Sequence, residues 1–316
     1  MKYVPKAIVE EVNVTPTNHL VELGRLLGMV VGISIVIYIA LGFTADWLVT
    51  RLSPELEQQI GQALIPTTAV TSVNSDPRLV YVEDLLNQLK AQDPSLVDYP
   101  SLPTQLFETP IPNAGIVPGG TVLVSQGLLN TVATENELAF VLAHELGHFQ
   151  ARDALKRLGR SLVFVTLASV LGLGNSGGPE LVGLAGNLTE LRYSRGQERD
   201  ADIYAINLMV ERYGHGGYSL DFFRNIQELE ADLPLGQGPE VFSTHPLTPK
   251  RIADLEAYSQ AQGWSLEGPS TPLPETFTGD LSGVDLEMQQ AIAGHEGYQM
   301  ISTSCHCANT LRGGMS

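Results

Sequence analysis

Two histidines four residues apart with a glutamate between them, His144-Glu145-Leu146-Gly147-His148, form the stretch of this chain best suited to chemistry. Four residues is about one helical turn, so on a helix both imidazoles leave the same face and can reach one ion. The carboxylate beside the first histidine then points at the water that such an ion would bind. Imidazole donors in this pattern suit zinc, and a zinc site that does chemistry has three protein ligands with a fourth position open to water. A third ligand is therefore expected downstream. Glu198 is the choice, in the run Glu198-Arg199-Asp200-Ala201-Asp202. Asp202 falls one turn later on the same face, where it can hold a ligand imidazole in place. His215 and His245 are the rival ligands; His215 follows Gly214 in a Gly-rich turn, which favours a surface loop.

The pair needs a helix, and the neighbouring residues predict one. Thr134 with Glu137 three residues on fits a capping box. Leu138, Val141 and Leu142 make a core-facing stripe, and from Glu135 to about Leu158 only Gly147 interrupts a helix-compatible run. A second long helix, Leu188 to Tyr213, would bring in Glu198, and Gly214 would close it. Apolar spacings of three and four at Leu79, Val82, Leu85, Leu86 and Leu89 predict a helix over about 76–92. Further helices are expected at Pro54 to Leu64, Leu220 to Ala231 and Pro249 to Gln262, the last capped by Thr248 and Pro249. Residues 93–130, with short apolar runs such as QLFE and TVLVS between turn residues, read as strands of a small sheet. The fold class is thus α+β, a mainly helical zincin-type domain with a small β-sheet, preceded by one transmembrane helix.

That transmembrane helix is Leu26 to Ala45, twenty residues without a charge, which at about 1.5 Å each match a bilayer core of about 30 Å. A cleaved signal peptide is the rival reading; the run is longer and later than a usual signal core, and no small-residue cleavage site follows. Lys2, Lys6 and Arg25 before it against Arg51 after it favour a cytoplasmic N-terminus, with the catalytic domain on the extracytoplasmic side. The chain divides into an N-terminal segment (1–25), an anchor in the lipid bilayer (26–48), a connector (49–75), a metallopeptidase-type domain (76–262) and an acidic, disordered tail (263–316). Ser161 to Leu173 is a second apolar stretch, short for a span; a buried helix beside the site is expected, with a membrane-dipping lid as the rival. A net charge of −17, from 35 acidic and 18 basic residues, argues against nucleic acid as a partner. Cys305 and Cys307, the only cysteines, cannot staple a fold; with His295 and His306 they are a weak alternative metal cluster. Nothing in the sequence assigns an oligomeric state.

Four segments resemble the HtpX and CAAX prenyl protease family of membrane-associated zinc metallopeptidases, over about residues 76–260. They are Asn113-Ala114 through Pro118-Gly119-Gly120 to Gly127-Leu128-Leu129, Glu137-Leu138-Ala139 through His148, Glu198 with Ala201-Asp202, and His245-Pro246 with Arg251-Ile252. The resemblance implies one zinc per chain on His144, His148 and Glu198, with Glu145 as general base and later general acid. It also implies that Asp202 supports a ligand, that Asn113 binds substrate backbone from an edge strand, and that His245 stabilises the oxyanion. Gly115 stands where the family usually has Phe, and only one anchor is present. An extended polypeptide substrate would add itself to the sheet edge near Val122 to Ser125. The expected function is zinc-dependent endopeptidase action on unfolded or membrane-associated proteins; the alternative is a zinc-containing membrane chaperone or scaffold that binds without cutting. Arg251 reads as a surface or structural charge, with a salt bridge near the site as the other option.

Overall fold

Side-chain oxygens mark the helix starts in the computed structural model, which describes residues 18–64, 76–109, 111–170, 193–225, 245 and 249–277. Asn18 caps α1 (His19–Val49), Ser53 accepts from Leu56 N in α2 (Pro54–Leu64), and Asp76 caps α3 (Pro77–Lys90). The strands β1 (Thr104–Phe107), β2 (Ala114–Ile116) and β3 (Val122–Ser125) follow. Ser125 then caps the short α4 (Gln126–Thr131), and Thr134 caps α5 (Glu135–Gln150). After α6 (Asp153–Val170), Ser194 and Gln197 close a capping box on α7 (Arg195–Tyr213), which Gly214 ends in the left-handed conformation at φ 75°. The last helix is α8 (Pro249–Gln262).

Two compact units divide the chain, Met1–Leu52 with Leu155–Ala185, and Ser53–Ala154 with Gly186–Ser316. In the second unit the sheet order is β1-β3-β2, with β1 parallel and β2 antiparallel to β3. Alternation places Leu106, Ile116, Val122 and Val124 in the core. The sheet also corrects an expectation: Val122 to Ser125 is the central strand, paired on both sides, so it offers no edge to a substrate. The edges are β1 and β2, and β2 packs against α5.

Helix α5 is the hub of this unit. It packs on α3, β2 and α7, and every residue from Glu135 to Phe149 is buried, not merely the stripe that the sequence suggests. It also ends earlier than the absence of Gly and Pro implies. Arg152 takes φ 54°, which breaks the helix after Gln150 and restarts it at Asp153.

Residues 263–277, expected to be disordered, are ordered against the domain. Glu135 N donates to Thr271 O at 2.9 Å, Thr271 N to Asn136 Oδ1 at 2.8 Å, Thr134 bridges to Pro272, and Phe277 is buried edge-on to Tyr81. Poor periodicity misled here, because the segment is held by bonds to the start of α5 and needs no helix or long strand of its own.

In the first unit α1 starts seven residues before the apolar run and, among the described residues, is the one helix long and apolar enough to cross a membrane. The described part of the second apolar stretch, Ser161 to Val170, belongs to α6. It is half-buried or exposed and pairs with α1, in contrast to the buried helix expected beside the site. The predicted helix at Leu220 to Ala231 is seen as helical residues 221–225. Thr248, residues 171–192 and the Cys305-His306-Cys307 cluster with His295 lie outside the described residues.

Candidate active site

Gly147 lets the two ligand-bearing helices meet. A Cβ at this position would stand 3.0 Å from Ala201 Cα and 3.3 Å from Ala201 O, so any side chain here would crowd the backbone of α7, which glycine lets come close to α5. This approach sets the first turn of α7, with Glu198 on it, opposite the face of α5 that carries His144 and His148. All three side chains are buried.

Four ligand atoms, from His144, His148, Glu198 and His245, lie within 4.8 Å of one another. His144 Nε2 is 3.2 Å from His148 Nε2 and 3.3 Å from His245 Nδ1. Glu198 Oε1 is 3.0 Å from His245 Nδ1 and 3.6 Å from His148 Nε2, and Glu198 Oε2 is 3.6 Å from His144 Nε2. Separations of 3.0 to 3.6 Å are short enough for these groups to share one ion. Three nitrogens and a carboxylate are also a chemically apt zinc set. His215, the other rival ligand, is elsewhere, with Nδ1 accepting from Gly217 N at 3.0 Å. Glu145 lies beside the set, its Oε1 3.5 Å from His245 Nε2 and its Oε2 buried with no hydrogen-bond partner among the described residues. An orphaned carboxylate oxygen next to a ligand set fits a base that faces a water in the working site.

Behind the ligands stands a ring of charges. Asp202 Oδ1 lies 2.9 Å from His144 Nδ1, and Asp153 Oδ2 lies 2.9 Å from His148 Nδ1, so each ring keeps Nε2 for the centre. Arg251 is buried and reaches three carboxylate oxygens, Glu198 Oε2 at 2.7 Å and Asp202 at 2.7 and 2.9 Å. Tyr193 stacks on His148, ring centres 3.8 Å apart and planes 9° from parallel. Asp153 and Tyr193 escape the sequence reading, and Arg251 is a site charge, not a surface one. Asp153 could have been suspected only from knowing that the helix breaks at Arg152; Arg251 carried a signal in its spacing after His245. Asn113 sits just before β2, its N donating to Ser125 Oγ at 2.7 Å and its Oδ1 buried without a hydrogen-bond partner among the described residues.

The titration behaviour follows from this packing. Burial pushes the Glu198 carboxyl up, but His148, His245 and His144 together hold it far below the usual carboxylate range. Burial pushes His148 down, yet Asp153 and Glu198 raise it to about 9. His144 goes down because burial outweighs Asp202. Asp202, buried beside His144 and Arg251, is held low by both.

The model of peptidase family M48 matches residues 82–259, more than half of the chain, and that span holds every residue just described. The chain belongs to peptidase family M48. Similar M48 proteins include the mitochondrial metalloendopeptidase OMA1 of Schizosaccharomyces pombe, 28% identical over 166 residues, 48% of this chain and 45% of that protein. Metalloprotease LoiP of Escherichia coli is 29% identical over 157 residues, 48% of this chain and 60% of its own. The beta-barrel assembly-enhancing protease of Yersinia pestis is 30% identical over 148 residues, 43% of this chain and 30% of its own. The match thus spans under two thirds of each of these relatives.

Proposed function

We propose that this M48 protein is a membrane-anchored zinc metalloendopeptidase, with one zinc per chain, that hydrolyses peptide bonds of unfolded or membrane-associated polypeptides. The observation that carries the reading is the convergence of His144 Nε2, His148 Nε2 and Glu198 on one point beside Glu145. Zinc held there supplies Lewis acidity, which brings the pKa of water down to about 7 and polarises a carbonyl.

The protein's own groups do the rest. Glu145 takes the proton of the attacking water and later returns it to the leaving amine. Asp202 and Asp153 keep His144 and His148 turned inward, and Arg251 holds Glu198 in position. His245, whose ring lies 3.3 Å from His144 Nε2 and 3.5 Å from Glu145 Oε1, would donate to the carbonyl oxygen as charge develops there and leave the open position at the metal to water. Asn113 and the free edge of β2 take the substrate backbone as an added strand; a side chain at Gly115 would meet open space, so the edge has room. Residues 26–48, within α1, serve as the anchor, residues 76–262 form the peptidase domain, and Lys2, Lys6 and Arg25 before the apolar run, against Arg51 after it, favour the extracytoplasmic side for that domain.

The test uses the purified zinc-loaded full chain on casein, with and without a chelator. The reading expects peptide products that the chelator abolishes. Binding of casein with no chelator-sensitive products would establish a zinc-containing chaperone instead.

A further inference from the structure

We propose that the distal half of α6, Ser161 to Val170, is inserted into the same bilayer as α1, so that the membrane holds this chain through two antiparallel helices. This rests on the reading of α1 as the anchor. The pairing sets the level of α6. At one end a Cβ on Gly159 would stand 3.3 Å from Ala45 Cβ, and the Arg160 guanidinium forks onto the Asp46 carboxylate, with Nε 3.0 Å from Oδ1. Further along, Phe164 packs edge-on to Tyr38 with ring centres 6.2 Å apart. Position rises in α6 as it falls in α1. Tyr38 is about 10 Å along the helix from Ala45, so Phe164 lies well inside a hydrocarbon layer of about 30 Å that α1 crosses.

The surface of α6 at that level suits lipid and not water. From Ser161 to Val170 there is no charge, and Leu162, Phe164 and Val170 are 40%, 59% and 79% exposed. Two of its three hydroxyls bond within the helix, Thr166 Oγ1 donating to Leu162 O and Ser169 Oγ to Val165 O, both at 2.8 Å. Thr44 of α1 does the same with Ala40 O at 2.9 Å. Internal satisfaction of polar groups is what a hydrocarbon solvent demands. The charges collect at the other end: Lys156, Arg157 and Arg160 on α6, with Asp46 and, next to α1, Arg51, whose guanidinium lies 4.7 Å from the Trp47 ring centre. Aromatic and basic side chains at one level mark a membrane–water interface. From that level the described uncharged part of α6, Ser161 to Val170, extends about 15 Å, which carries it to about the middle of a hydrocarbon core. In chain order this insertion falls between His148 and Glu198, so the bilayer grips the chain between its metal-ligand segments.

Depth-dependent quenching tests the proposal on the full chain carrying Cys305→Ser and Cys307→Ser. Single cysteines at Ile35→Cys, Lys156→Cys, Phe164→Cys and Val170→Cys are labelled with bimane, and the protein is reconstituted in phosphatidylcholine–phosphatidylglycerol vesicles. The expected result is loss of fluorescence to acyl-chain spin labels, and not to aqueous iodide, at positions 35, 164 and 170, with the reverse at 156. Quenching of 164 and 170 by iodide while 35 stays in the acyl region would overturn the insertion and leave the anchor standing. Iodide quenching at 35 as well would remove the anchor and the insertion together. Shielding of 164 and 170 from both quenchers would mean that protein, such as a second copy of the chain, covers the face, which also overturns the proposal.

Discussion

Asp153 and Asp202 stand alike behind two rings, each meeting the Nδ1 of a histidine at 2.9 Å, and under the proposed zinc reading both would orient a ligand. Such outer carboxylates tune affinity without touching the metal. Asp153→Asn and Asp202→Asn should each weaken zinc binding by about 10–100-fold with helix content intact, measured by competition with a chromophoric chelator and circular dichroism. Unchanged affinity in both would contradict the assigned role. The Arg251 guanidinium pairs with both buried carboxylates, Glu198 and Asp202, each at 2.7 Å. Removing one partner of a buried charge pair strands the others, so Arg251→Met should lower stability of the metal-free protein by about 3–5 kcal/mol in urea denaturation. A loss below 1 kcal/mol would show that solvent reaches these carboxylates and makes up for the missing guanidinium.

At the scale of elements, the contact of α5 with α7 decides whether a site exists. Gly147→Val adds bulk where even a Cβ stands 3.0 Å from Ala201 Cα, so the helices must part. We expect a stability loss of about 1–3 kcal/mol in thermal denaturation together with weaker zinc binding, since Glu198 moves away from the histidines. Loss of one without the other would separate packing from site geometry. The elements that could be read from sequence are those with local causes: α2 and α8 at their bounds, α3 from its apolar spacing, the Thr134 cap and the Gly214 stop. What could not be read depends on distant partners. The central place of β3 comes from β1 and β2 pairing on either side of it, and the break at Arg152 has no Gly or Pro to announce it. In the site, spacing marks His144 and His148, the resemblance favours Glu198, and His245 stands in the sequence as a rival ligand, whereas Asp153 and Tyr193 need the assembled helices.

At the scale of the molecule, Glu135 ties the peptidase unit together. Its carboxylate takes bonds from Tyr81 of α3 and from Tyr213 and Arg212 of α7, and its backbone N–H holds the segment after α8. Burial pushes this carboxyl up, but the two tyrosines and Arg212 outweigh it and hold it below its ordinary value. A carboxyl depressed on folding stabilises the protein above its unfolded pKa of about 4.3, and that stability is lost as pH falls through the folded value. Glu135→Gln should therefore lie about 1.5–3 kcal/mol below the parent at neutral pH, with the gap closing in acid below about pH 4. A gap that persists unchanged into acid would show that shape and not charge is at work. The central claim is that a buried ion on His144, His148 and Glu198 serves a reaction in which Glu145 moves the proton. Its most direct test is Glu145→Gln in the intact chain, with zinc content and casein cleavage measured on the same preparation. The account predicts about one zinc per chain and cleavage reduced to background. Undiminished cleavage by a fully loaded Glu145→Gln protein would contradict it.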